Sequence, residues 1–262
     1  MKLRIAFLAL IISLALGTSP SFSAITLDPL SKEDIAIAQA IVTKLSLYIQ
    51  ERKLKGDVNL LTYDDVYSGL EVSEKNFLDE IRNIKPVPEN KKQLAEIQSK
   101  MIPIDNQTIL MNKPDNPKKH MPYVIERQFL PQNVYQAYVN MMSAMEKDLG
   151  RRLFIESGYR SPAYQLYLFV FYLSNHNYSV KETNRWVALP GTSEHGAPEH
   201  QAIDFINVLG VSGENHPEDF EKLPEYEWLT QNANQFGFVL SYPKNNSTNS
   251  AFEPWHWRYE TK

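Results

Sequence analysis

Three short segments of the chain carry residue types that could do chemistry together: Ser193-Glu194-His195, Ala202-Ile203-Asp204-Phe205 and Glu253-Pro254-Trp255-His256-Trp257-Arg258-Tyr259. Two imidazoles and one carboxylate make a hard, cysteine-free zinc site, and a fourth coordination position left open for water makes such a site catalytic. Asp204 lies between Ile203 and Phe205 in an apolar run that reads as a strand. An unpaired charge there would be costly, so this carboxylate needs a cation, either a metal or a lysine or arginine partner. In a strand over 255–259, alternation sends Trp255, Trp257 and Tyr259 to one face and His256 with Arg258 to the other. Glu253 lies three residues before His256 and would point away from it in a straight strand. Pro254 permits a turn or bulge there that swings Glu253 back.

The elements that must carry these segments follow from periodicity and caps. Ser31 reads as the N-cap of a helix to about Lys53, with Glu33 and Asp34 in its first turn and Ile37, Ile41, Leu45, Tyr48 and Ile49 at helical spacing. One or two further helices are expected, around 65–70 and 73–84, broken by Pro86 and Pro88. Pro131 opens a helix to about Leu149, with Val134, Ala137, Tyr138, Met141, Met142 and Met145 on one side and Gly150 as its stop. A strand at 153–155 ends in Ser157-Gly158 and leads to Tyr159 and Arg160. A helix then runs from Ser161-Pro162 to about Asn175. Strands are expected at 201–208, 238–242 and 255–259, and a helix at 225–236. The order predicts an α+β fold, a small antiparallel sheet flanked by helices.

Residues 1–23 read as an export signal and not as structure. Lys2 and Arg4 precede an apolar run of 12 residues, Ile5 to Leu16, where a membrane-crossing helix needs about 20. Small residues follow, and cleavage after Ser23 places Ser21 and Ser23 at the two small-residue positions, whereas cleavage after Ala24 would put Phe22 at one of them. The mature chain of 239 residues would carry 25 basic and 31 acidic residues, a formal charge of −6, which argues against nucleic acid as a partner. No other segment is apolar enough to span a membrane. The chain has no cysteine, which excludes disulfides, a Cys nucleophile and a thiolate metal site. Its expected localisation is the periplasm or the extracellular space.

Taken with Ser157-Gly158-Tyr159-Arg160-Ser161, the three segments resemble, in order and overall spacing, the VanY-like D-alanyl-D-alanine carboxypeptidases of the LAS zinc metallopeptidases. Leu110-Met111-Asn112-Lys113 is also similar to a segment that opens the catalytic domain in many members. The resemblance runs from about residue 105 to the C-terminus. It implies a LAS/hedgehog-like peptidase domain over 105–262, while residues 24–104, which the resemblance does not reach, read from their own pattern as a helical extension. It further implies one zinc ion held by His195, Asp204 and His256, with Glu253 as catalytic acid/base as zinc-bound water attacks the amide. Arg160 would meet the substrate carbonyl or carboxylate, and Ser193 would line the substrate site. The implied activity is removal of the terminal D-alanine from peptidoglycan stem peptides.

One departure stands out. Family members usually have seven steps from this histidine to the aspartate, whereas His195 to Asp204 is nine, through Gly196-Ala197-Pro198-Glu199-His200. The longer loop leaves His200 as an alternative ligand to His195, and Glu199 as an alternative base. Other readings are an L,D-carboxypeptidase, a peptidoglycan endopeptidase, or an inert zinc-holding wall-binding protein. Retention of both Glu253 and Arg160 argues against inertness.

Overall fold

The computed structural model describes residues 29–84, 100–113, 116–197, 200–214, 216–246 and 251–260. The expected export signal, the Pro86-Pro88 break and Glu199 lie outside the described residues.

Helix α1 (Lys32–Lys55) starts where Ser31 Oγ accepts from the Asp34 amide and stops at Gly56, whose left-handed conformation lets its amide reach the last carbonyls. Its buried face is Ala38, Ile41, Leu45 and Ile49. Helix α2 (Tyr63–Tyr67) opens on a Thr62–Asp65 capping box, and α3 (Val72–Arg82) buries Phe77, Leu78 and Ile81. These three helices do not form a core by themselves. Their apolar faces join Ala163, Leu166, Phe169 and Val170 of α5 (Pro162–Tyr172) in one buried cluster. Helix α5 is apolar on nearly all sides, with eight of its residues buried, so it needs cover on both flanks.

Strand β1 (Met101–Ile104) pairs antiparallel with β4 (Gln128–Pro131), and β2 (Thr108–Lys113) with β3 (Asn116–Val124), each as a two-stranded ribbon. Helix α4 (Gln132–Leu149) follows and ends at Gly150 as its sequence predicts, with Val134, Tyr138, Met141, Met142 and Met145 buried. The site is carried by a four-stranded antiparallel sheet in the order β5-β6-β8-β7, formed by β5 (Leu153–Ser157), β6 (Ala202–Asn207), β8 (His256–Tyr259) and β7 (Phe238–Leu240). Its second cluster packs α4 and α8 (Pro224–Asn232) against Leu153, Ile155, Ile203, Phe205, Phe238 and Trp257. Short helices α6 (Val180–Thr183) and α7 (Pro217–Glu221) fill the connections. The molecule is α+β with small antiparallel sheets, as expected. The sequence reading did not anticipate the β2–β3 ribbon as a separate sheet, and it extended two helices whose last turns, 173–176 and 233–236, tighten to 3₁₀ geometry. Among the described residues no helix is long and apolar enough to cross a membrane.

Candidate metal centre

Two central strands bring the first two candidate ligands together. β6 and β8 pair so that Asp204 stands opposite His256, on the face away from the cluster that holds Ile203, Phe205 and Trp257. Asp204 Oδ1 lies 2.7 Å from His256 Nδ1, and the carboxylate side chain keeps 17% of its exposure. His195 arrives from a 3₁₀ turn, Glu194–Gly196, with its Nε2 3.0 Å from Asp204 Oδ2. One ligand atom from each of His195, Asp204 and His256 lies within 4.8 Å of the others. No lysine or arginine bonds Asp204 among the described residues. His200, the alternative ligand, is exposed and outside this group.

The two histidine rings are fixed from behind. His195 Nδ1 sits 2.8 Å from the carbonyl oxygen of Gly158. A carbonyl only accepts, so Nδ1 carries the proton and Nε2 presents a lone pair to Asp204. Burial holds the His195 pKa below its ordinary value, against the opposing pull of Asp204. A neutral Nε2 and a carboxylate oxygen 3.0 Å apart are two acceptors face to face, an arrangement that calls for a cation between them. The donor set of two imidazoles and one carboxylate, each on a fixed element, therefore fits a zinc ion with one open position.

The opposite side of the centre is rich in acid. Glu194 Oε2 lies 3.0 Å from His256 Nε2. Burial would depress the protonation of His256, but Asp204 and Glu194 outweigh it and raise its pKa to about 10. For Asp204, burial favours the neutral acid, yet the charged His256 imidazole beside it outweighs this and holds its pKa well below the usual carboxylate range. Glu156, next to Ser157 at the end of β5, is pushed up to about 7 by burial, with the charges of Asp204 and Glu214 adding to it.

Glu253 precedes β8 in the turn that Pro254 begins. Its amide donates to the Tyr242 carbonyl and its own carbonyl accepts from the His256 amide, both at 3.1 Å. The turn brings Glu253 Oε2 to 4.0 Å from His256 Nδ1, so the carboxylate faces the centre without entering the ligand set.

Arg160 follows the Gly158-Tyr159 turn. Its amide donates to the His195 carbonyl at 3.0 Å, and its buried Nε has no hydrogen-bond partner. Burial lowers its pKa, with the nearby Asp204 charge acting the other way. Ser193 is buried at the start of the 3₁₀ turn that holds His195.

Two glycines make this close packing work. A Cβ on Gly158 would lie 2.5 Å from the Phe129 carbonyl oxygen, and one on Gly196 would lie 2.9 Å from that of Arg160.

Two neighbours carried no role in the sequence reading. Glu194 stands in the quoted motif beside His195, and only the 3₁₀ turn reveals that it faces His256 instead. Tyr242, whose ring centroid is 5.1 Å from that of His256, stays neutral. Burial and the Glu194, Glu253 and Asp204 charges all raise its pKa. Nothing in the spacing of Tyr242 from the motifs marks it.

A small antiparallel sheet that presents a His/Asp/His centre with a carboxylate at its edge defines a metallopeptidase class of protein. A family model described as VanY, D-alanyl-D-alanine carboxypeptidase, matches residues 127–262. The chain belongs to that family. It is 40% identical over 80 residues to a D-alanyl-D-alanine carboxypeptidase of Enterococcus faecalis (strain ATCC 700802 / V583), covering 30% of this chain and 26% of that protein. It is 32% identical over 143 residues to YodJ of Bacillus subtilis (strain 168), covering 53% of this chain and 49% of that one. The chain thus spans between about a quarter and half the length of these relatives. A solved structure of the LdcB LD-carboxypeptidase is 31% identical, covers 50% of this chain and 59% of its own, and superposes with a TM-score of 0.42.

Proposed function

We propose that this protein is an exported zinc carboxypeptidase that removes the terminal D-alanine from peptidoglycan stem peptides. The observation that carries the reading is the convergence of His195, Asp204 and His256 with Glu253 beside them and an unpaired Arg160 guanidinium nitrogen nearby. The D-alanyl-D-alanine specificity comes from the family to which the chain belongs. Export rests on residues 1–23 as a cleaved signal.

His195 Nε2, Asp204 and His256 Nδ1 would hold the ion, one per chain. When bound, zinc supplies Lewis-acid polarisation of the amide carbonyl and activation of water. Glu253 takes the proton that the attacking water gives up and delivers it to the departing D-alanine amine, so one water is consumed and two products leave. Its position outside the ligand set suits this role, because a carboxylate spent on a metal cannot shuttle protons. Arg160 pairs with the free carboxylate of the substrate. Its planar fork of donors suits a bidentate contact, and its buried Nε lacks the anion that a guanidinium in this position calls for. Ser193 lines the same pocket.

A matched pair of stem peptides tests the reading, one ending in free D-alanine and one with that carboxylate amidated. The expected result is release of D-alanine from the free peptide only, with Arg160→Lys losing roughly tenfold or more in kcat/KM despite its retained charge. Equal cleavage of both peptides would reject the exopeptidase assignment.

A further inference from the structure

We propose that Glu194 is a positioning residue that orients His256 for metal binding, an inference that rests on the zinc reading above. The centre has two histidines, and each presents a different nitrogen to Asp204: Nε2 for His195 and Nδ1 for His256. An imidazole offers a metal only the nitrogen whose partner ring atom holds the proton, so each ring needs an acceptor on its far side. His195 has one in the Gly158 carbonyl, 2.8 Å from Nδ1. His256 has no backbone carbonyl in that place. The group 3.0 Å from its Nε2 is the Glu194 carboxylate.

Local geometry makes this possible. Glu194 and His195 are adjacent in sequence, yet the 3₁₀ turn over Glu194–Gly196 sends their side chains to opposite partners, His195 toward Asp204 and Gly158, Glu194 toward His256. The turn is closed by the Gly196 amide donating to the Ser193 carbonyl at 3.0 Å, and it is anchored by the Arg160 amide on the His195 carbonyl. One short turn therefore supplies a ligand and the group that aims the other histidine. The Tyr242 ring, tilted at 36° to His256, packs against the imidazole. With Glu194 removed, His256 keeps that packing but loses the acceptor that holds the proton on Nε2, and Nδ1 is no longer reserved for the metal.

The alternative is that Glu194 contributes only a nearby negative charge. The two roles separate in a series read as zinc affinity, measured by competition with a chelating dye, alongside the melting temperature of the metal-free protein. Glu194→Ala is expected to weaken zinc binding by about 10- to 100-fold with the metal-free fold intact. Glu194→Gln keeps an acceptor oxygen at the same reach and is expected to stay within a few-fold of the wild type. Glu194→Asp keeps the charge but is one methylene too short to reach Nε2, and is expected to fall with the alanine variant. Zinc affinity in Glu194→Ala within threefold of wild type overturns the proposal. So does an aspartate variant that binds zinc normally while the glutamine variant does not. If the alanine variant does not fold, the Asp and Gln pair alone decides. Wild-type protein that binds no zinc rejects the metal reading itself and this proposal with it, whereas normal wild-type binding with an insensitive series rejects only the role of Glu194.

Discussion

The Nδ1 atom of His195 lies 2.8 Å from the carbonyl oxygen of Gly158, across a sequence separation of 37 residues. This contact joins the turn after β5 to the turn before β6, so the metal centre and the arginine loop form one rigid unit. The Tyr159 amide adds to it by donating to the Phe129 carbonyl at 2.7 Å. Nothing larger than glycine fits at residue 158, since its Cβ would be 2.5 Å from that same carbonyl oxygen.

Gly158→Ala should therefore act at a distance from the metal. Overpacking against backbone costs about 1–3 kcal/mol, and the displaced carbonyl should release His195. A lowered denaturation midpoint together with weakened zinc binding is the expected pair of results. A variant with normal values of both would show that the turn can yield without moving the ligand.

Glu253→Gln preserves shape and removes the base. General acid–base groups contribute about 10²–10⁴-fold, so turnover should fall by that factor while zinc content and melting temperature hold. Near-normal turnover would move the proton transfer to another carboxylate.

The metal-free protein should lose stability as pH rises from about 6.5 to 10. The His256 pKa rises from 6.5 unfolded to about 10 folded, so its contribution is fully present below 6.5 and is lost as pH passes through the folded value. Glu156, raised to about 7, has the same sign at lower pH. His195, lowered on folding, opposes both below 6.5, and Glu156 has finished titrating a little above 7, so the upper part of the window isolates His256. Denaturant midpoints of chelator-treated protein across pH 6.5 to 10 check this, and a flat or rising profile would contradict the His256 assignment.

The N-terminal helices should be inseparable from the peptidase body. They share a buried cluster with α5, and the Ser161 amide, directly after Arg160, donates to the Asn59 carbonyl at 2.9 Å. Phe77→Ala should cost about 3–5 kcal/mol, and a chain lacking residues 29–84 should be insoluble, since α5 would expose its apolar flank. A soluble, active truncation would show the helices to be an accessory.

Much of this protein is determined locally and was legible from residue order alone. Ser31 caps α1, and Pro131 and Gly150 bound α4, because caps and stops act within one turn of the chain. The ligand candidates came from the family resemblance, since an aspartate between Ile203 and Phe205 calls by itself only for a cation, either a metal or a basic side chain. Strand β3 was not legible, because prolines at 117 and 122 argue against a strand, and only pairing with β2 as an isolated ribbon accommodates them. The exposure of His200 away from the centre, the orientation of Glu194 toward His256 and the tie between Asn59 and Ser161 were decided by tertiary structure alone. Each depends on the direction in which a turn aims a side chain or a backbone group, and that direction is set by what packs behind it from elsewhere in the chain.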